Sequence, residues 1–214
     1  MIEEIKQKGL VSVDTETTNQ DPMLAGLVGI SFSCEENKAT YLPLTHHYLG
    51  VPEQLEFSKA LGHLKDILQD EHIAKIGQNI KYDSLVLRRH GIELRGIHFD
   101  TMIASYVINP GLRQHNLDAL SQHYLNHGMI SYHDVVGKGK NELNFSQVPV
   151  ERGGEYAGED AEVTLRLAEI LGDRLEEDKN HELFYNLEMK LVPVLVDMEM
   201  AGFLLDTKVL KEMS

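Results

Sequence analysis

Val11-Ser12-Val13-Asp14-Thr15-Glu16-Thr17-Thr18 places two acids one residue apart on a run that reads as a β-strand. Side chains alternate along a strand, so Asp14 and Glu16 point the same way. Paired carboxylates on one face repel, and a fold tolerates them when something positive sits between them. A divalent metal is the obvious candidate, and the polar end of a strand leaving the core is the structural alternative. Nothing within the run decides between the two.

Outward from this run, residues 3–8 read as the tail of a helix. Strands are expected over residues 10–14, 27–33 and 40–44, a three-strand meander. Leu55, Leu61, Leu64 and Leu68 recur at helical spacing through residues 55–69, and residues 72–76 read as a further short strand. Gly77-Gln78-Asn79 supplies the turn into a helix over 80–90 that Gly91 terminates. Asp100 is a good N-cap for a helix running to Asn109, where Pro110-Gly111 stops it. Residues 116–124 read as a short helix, and residues 128–146 as a long mobile connection of the kind that is functional or disordered. Long helices follow over 155–177, with Ala157, Val163, Leu167, Ile170 and Leu171 for the core, and over 182–200, closed by Gly202. Strands first, with helices between and after them, predict an α/β fold with a mixed sheet.

The chain has 214 residues, 42% of them hydrophobic, enough for one sizeable core. A lone cysteine, Cys34, excludes an intramolecular disulfide and fits a reducing compartment. No apolar run approaches the roughly 20 residues of a membrane span, and the amino terminus lacks signal-peptide character, so an intracellular protein with no membrane partner is expected. The formal net charge of -14 argues against a broad DNA-wrapping face. It leaves room for an enzyme that grips a few nucleotides through bound cations, which invert the local charge logic. His46-His47 and the set His123, His127 and His133 match no structural zinc spacing, and no second cysteine supports one.

Two further pairs change the reading of Asp14 and Glu16. Asn79 and Asp83 stand four apart at the start of a helix, and Tyr156 and Asp160 stand four apart in the first turns of a later one, so each pair shares a face. Each alone is compatible with a cap, a solvated acid or ordinary core. Together, Asp-x-Glu on a strand, Asn-x-x-x-Asp on a helix and Tyr-x-x-x-Asp on a later helix resemble the three exonuclease motifs of the DEDD proofreading superfamily, in its Tyr variant. Gly77-Gln-Asn-Ile-Lys-Tyr-Asp83, Phe99-Asp-Thr-Met102, Gly137-Lys-Gly-Lys-Asn141 and Tyr156-Ala-Gly-Glu-Asp-Ala-Glu-Val-Thr164 look like the bacterial DNA polymerase I family, and the likeness spans nearly the whole chain.

The resemblance implies a ribonuclease H-like α/β fold with a mixed five-stranded sheet flanked by helices. It implies a 3′-5′ exonuclease domain over residues 1–185, and over 186–214 the start of the segment leading into a polymerase domain, so that the chain reads as an excised fragment. The implied activity is hydrolysis of the 3′-terminal phosphodiester of single-stranded or frayed DNA, releasing 5′-mononucleotides, in a monomer of the bacterial cytoplasm associated with the nucleoid. Two Mg²⁺ or Mn²⁺ ions suit such chemistry, which needs a nucleophile at neutral pH and stabilised oxygens on both sides of the phosphorus. By the family's pattern Asp14 bridges both ions, Glu16 and Asp160 complete the first, and Asp83 holds the second. Tyr156 orients the attacking water and Glu16 assists as acceptor.

Thr15, Gln78, Asn79 and Arg113 are candidates for substrate contact, and Tyr132 sits where the family places an aromatic that stacks on bases. Gln20 occupies the place of an apolar wedge, often Leu, and a polar amide separates bases less well. Lys138 and Lys140 read as a solvated basic loop, and Asp100 as a cap rather than a ligand. Two rival readings are an RNA-trimming enzyme of the ribonuclease D type and a catalytically weak or inactive clamp. Retention of all four acids favours activity.

Overall fold

The computed structural model describes residues 1–213. Its centre is β1 (Leu10–Thr17), which is longer than the sequence pattern predicts and carries Asp14 and Glu16 within the strand rather than at its tip. β1 follows α1 (Ile2–Lys8) through Gly9, whose φ of 66° makes the left-handed turn that ends the helix. β1 pairs antiparallel with β2 (Leu27–Glu35), and β2 with β3 (Lys38–Pro43), which is the expected meander. α2 (Phe57–Leu68) then leads to β4 (Ala74–Gly77), parallel to β1 on its other side. α2 starts two residues later than the leucine spacing suggests, because Glu56 caps it by accepting from the amides of Ser58 and Lys59. Leu55 is consequently left outside the helix and exposed.

After α3 (Ile80–Arg89), β5 (Ile97–Asp100) completes a mixed sheet of order β3-β2-β1-β4-β5. The position of this fifth strand is not legible in the sequence. It has only four residues, His98 among them is exposed, and Asp100 ends it while capping α4 (Thr101–Ile108). Asp100 in fact caps two helices. Its buried carboxylate accepts from the amides of Ile80 and Asn79 at the start of α3 (2.8 and 3.3 Å) and of Ile103 in α4 (3.0 Å). Burial raises its pKa and those amide bonds oppose the rise.

α5 (Leu117–Leu120) runs into a π-turn over 121–125, where one straight short helix is expected. The predicted mobile connection over 128–146 is a built segment. It holds α6 (Tyr132–Val136) and 3₁₀ turns at 139–141 and 145–147, and Val135, Val136 and Phe145 form a small buried cluster with Val28 and Val148. Its glycines and lysines disguise this anchoring.

α7 (Val150–Glu177) begins five residues earlier than expected and lies across β1, β2 and β3. Small residues bring it close to the sheet: Ser12, Ser31 and Ser33 on the strands, and Ala157, Gly158 and Ala161 on the helix, all buried. The expected final helix is broken into α8 (His181–Leu183), a π-turn over 184–188 and α9 (Met189–Ala201), with α10 (Thr207–Met213) beyond Gly202. α9 packs on α3 and β5 through Met189, Val192 and Val196, and Arg88 and Lys81 of α3 pair with Asp197 and Glu199. Among the described residues, no helix is long and apolar enough to cross a membrane.

Lys75 is the anomaly of the core. It lies in the middle of β4, fully buried, with its ammonium on the Asp70 carbonyl. Burial lowers its pKa from 10.5 to about 8. Below pH 8 the folded chain carries a desolvated cation. Between pH 8 and 10.5 the unfolded chain binds the proton that the folded chain has released, so stability rises with pH across that window. Lys75→Met is expected to raise the melting temperature at pH 7, with an advantage over the parent that shrinks steadily above pH 8 in parallel thermal scans.

Candidate active site

The strand order changes direction between β1 and β4, and crevices outside the carboxyl ends of strands at such a point are where α/β sheets hold ligands. β4 pairs with β1 only over Leu10, Val11 and Ser12. Beyond Ser12 that edge of β1 is open, and α3 enters the gap. The β4–α3 turn is tight: a side chain on Gly77 would meet Ile80 at 2.9 Å, and Asn79 adopts a left-handed φ of 58°, which Asn tolerates better than most residues. One turn into α3, the Asp83 carboxylate accepts from the free Thr15 amide (3.0 Å) and from Thr15 Oγ1 (2.6 Å).

Strand alternation sends Thr15 to the α3 side and Asp14 and Glu16 to the α7 side. There α7 supplies Asp160. Asp14, Glu16 and Asp160 bring carboxylate oxygens within 4.8 Å of one another, and Asp83 is not part of that cluster. Burial raises the pKa of Asp14 from 3.8 to about 7. Burial also pushes Glu16, Asp83 and Asp160 well above the carboxylate range, and the Asp14 charge adds to the effect at all three. Among the described residues no lysine or arginine counters them: Asp83 is lowered by its Thr15 and backbone hydrogen bonds, and Asp160 by the Tyr156 hydroxyl. Tyr156 is held protonated, by burial first and then by Asp160, Glu16 and Asp14. A cluster of hard oxygen donors, repelling one another and lacking an internal cation, has the donor chemistry of a Mg²⁺ or Mn²⁺ site.

Glu16 also opens onto a cleft of about 870 Å³ whose walls include Thr17, Thr18, Asn19, Gln20, Tyr82 and Tyr132. The β1–β2 register slips between Glu16 and Thr17, a bulge that turns the strand end toward this cleft. Tyr82 fixes the turn that follows, donating to the Asn19 carbonyl (2.6 Å) and sharing a hydrogen bond with Thr17 Oγ1 (2.5 Å). Tyr132 is 39% exposed, its ring 6.1 Å from that of Tyr156 in an edge-on arrangement.

The other candidates fare differently. Thr15 gives both its donors to Asp83, so it holds an acid instead of facing solvent. Gln78 is likewise engaged internally, donating to the His115 carbonyl (2.9 Å) and accepting from Thr101 Oγ1. Asn79 makes no side-chain cap at the start of α3. Arg113 lines a separate surface hollow with Gln114, Gln122 and His123, away from the cleft.

Several supporting residues escape a reading by motif. Glu159 accepts from the Ile130 amide (2.7 Å) and from His127 Nε2 (2.8 Å), which fastens the segment bearing Tyr132 to α7 beside Asp160. Gly29 lies opposite Glu16 in register, and a side chain there would collide with the Tyr41 hydroxyl. That hydroxyl bonds His46 Nε2 (2.6 Å), while His46 Nδ1 donates to the Val148 carbonyl (2.9 Å). Burial lowers the His46 pKa, so the ring is neutral and Tyr41 donates to it. The Glu-Asp pair within Glu155-Tyr-Ala-Gly-Glu-Asp160 hints at Glu159. Nothing local hints at Tyr41, whose partner depends on sheet register.

A family model described as 3′-5′ exonuclease matches residues 1–176. A DNA polymerase I of Pseudomonas aeruginosa is 42% identical over 212 residues, covering 98% of this chain and 23% of its own length. The chain thus spans about a quarter of that relative. The solved POL domain of Pol1 from M. smegmatis, in complex with DNA primer-template and dNTP, superposes at a TM-score of 0.76 with 21% identity, covering 99% of this chain and 32% of that one. Escherichia coli RNase D shares the fold at a TM-score of 0.66 and 18% identity, covering 92% of this chain and 47% of that one. The chain belongs to the 3′-5′ exonuclease family of bacterial DNA polymerase I.

Proposed function

We propose that this chain removes nucleotides singly from the 3′ end of single-stranded or frayed DNA, releasing 5′-mononucleotides and editing for a polymerase domain in the same longer chain. The observation that carries this reading is the meeting of Asp14, Glu16 and Asp160 within 4.8 Å at the head of an aromatic-lined cleft. The donor set suits divalent cations, Mg²⁺ or Mn²⁺: Asp14, Glu16 and Asp160 would hold one, and Asp83, together with Asp14, would hold a second. Bound there, such ions lower the pKa of water and stabilise charge on attacking and leaving oxygens.

The chain's own groups do the rest. Tyr156, kept protonated, turns its hydroxyl hydrogen from Asp160 to the water and aligns it with the phosphorus. Glu16 accepts the water's proton as the new P–O bond forms and the bond to the 3′ oxygen of the preceding sugar breaks. Tyr132 stacks on a base, which suits editing because every base has an aromatic face. Asn79 is available to the terminal nucleotide.

We assign residues 1–185 to the nuclease and 186–214 to the passage toward a polymerase. In support, α9 and the turn before it leave Leu187, Leu191, Val194, Leu195 and Met198 partly exposed along one side. The acidic balance of the chain fits a domain to which basic surfaces elsewhere deliver DNA. The identity with named DNA polymerases I favours DNA over RNA, since the likeness to RNase D extends to the fold alone.

Digestion of a 5′-labelled single-stranded oligonucleotide is expected with Mg²⁺ or Mn²⁺ and not with chelator, and Asp14→Ala or Asp160→Ala abolishes it; full activity of both variants refutes the assignment. Tyr156→Phe is expected to slow turnover by about ten- to a hundredfold while metal binding is preserved, because the variant keeps all four carboxylates and loses the hydroxyl that aligns the water. The acids also set the pH response of the metal-free protein. With Asp14 raised from 3.8 to about 7, the folded chain keeps a proton that the unfolded chain has lost, so stability falls as pH rises through that window. Thermal scans from pH 4 to 8 are expected to show this decline in chelator and a flatter profile in excess Mg²⁺.

A further inference from the structure

We infer that Leu143 is a base-contacting residue of the cleft, standing opposite the turn that carries Gln20 and completing with Tyr132 an apolar seat for an unpaired nucleobase. This rests on the reading of the cleft as a DNA-strand site.

Among the described residues that line the cleft, Leu143 is the sole aliphatic side chain; the others are acids, amides, threonines and tyrosines. Single exposed leucines are common on protein surfaces, so its 41% exposure alone says little. Its setting says more. Gly137 and Gly139 take positive φ values of 87° and 67°, turning the chain so that the Leu143 amide donates back to the Val136 carbonyl (2.8 Å). The next residue, Asn144, reaches across the cleft mouth to the Thr18 carbonyl (2.8 Å) and caps the following turn with Gln147. Phe145, one further on, is fully buried. Leu143 is therefore fastened on both sides while its own side chain faces the cleft.

A polar groove that holds one aliphatic side chain and two tyrosine rings, Tyr82 and Tyr132, is suited to a ligand with flat apolar faces and a polar backbone. A single-stranded oligonucleotide has that composition, and contact with base faces is indifferent to sequence. Gln20 ends in an amide and offers less apolar surface than leucine in the same cleft, so the apolar half of the seat falls to Leu143.

The test measures binding of a fluorescent single-stranded pentanucleotide by anisotropy in Ca²⁺, with a normal 3′-terminal nucleotide or with one lacking its base. Leu143→Ala is expected to weaken binding of the normal strand about fivefold and of the abasic strand less than twofold. Leu143→Met, which keeps a long apolar side chain, is expected to restore most of the loss. Melting temperatures of both variants should match the parent, since the side chain is exposed. Equal losses on the two strands, or none on either, overturn the inference. Base-dependent binding by a chain that fails to digest the strand in Mg²⁺ supports the Leu143 contact and overturns the hydrolytic reading alone.

Discussion

Mutual repulsion among buried carboxylates is the constraint around which this fold is arranged. Asp14, Glu16, Asp83 and Asp160 converge on the end of one strand; burial pushes all of them upward in pKa, and the Asp14 charge adds to the rise at the other three. Hydrophobic packing elsewhere must hold them together. Two devices do so at this spot. β4 leaves β1 after Ser12, which frees the Thr15 amide to grip Asp83. Small side chains at the sheet–helix contact let α7 come close enough to bring Asp160 to Asp14. A cluster so held is costly without a positive charge among its members, and its donor chemistry suits divalent cations.

Around this centre a set of tethers keeps the acids and tyrosines in register. Glu159 ties the Tyr132 segment to the same helix that bears Tyr156 and Asp160, so Tyr132 and the acids are anchored to one element. Tyr41, seated over Gly29 and hydrogen-bonded to a neutral His46, fills the space beside Glu16. Catalysis by positioned groups is sensitive to small displacements, which gives such tethers their value.

The sequence made the centre legible because its signals are local. Asp14 and Glu16 share a face by strand periodicity, and the pairs Asn79–Asp83 and Tyr156–Asp160 share faces by helix periodicity. Asp100 declared itself a cap, although its second helix was hidden. What escaped depends on distant partners. β5 is too short to show a pattern, and the connection over 128–146 looks mobile because its anchors, Val135, Val136 and Phe145, are scattered among glycines and lysines. Thr15 and Gln78 lie within the motifs yet face inward, a distinction that needs the Asp83, Thr101 and His115 contacts to be seen. Arg113 lies off the cleft because the turn before α5 carries it to another surface.

We propose that these acids hold protons until divalent cations displace them. Calorimetric titration of Mn²⁺ at pH 6, run in two buffers of different ionisation enthalpy, measures the protons released on binding. Net release at pH 6, diminishing above pH 8 and abolished with binding in Asp14→Ala, is the predicted result. Mn²⁺ binding with no proton release at either pH would contradict it.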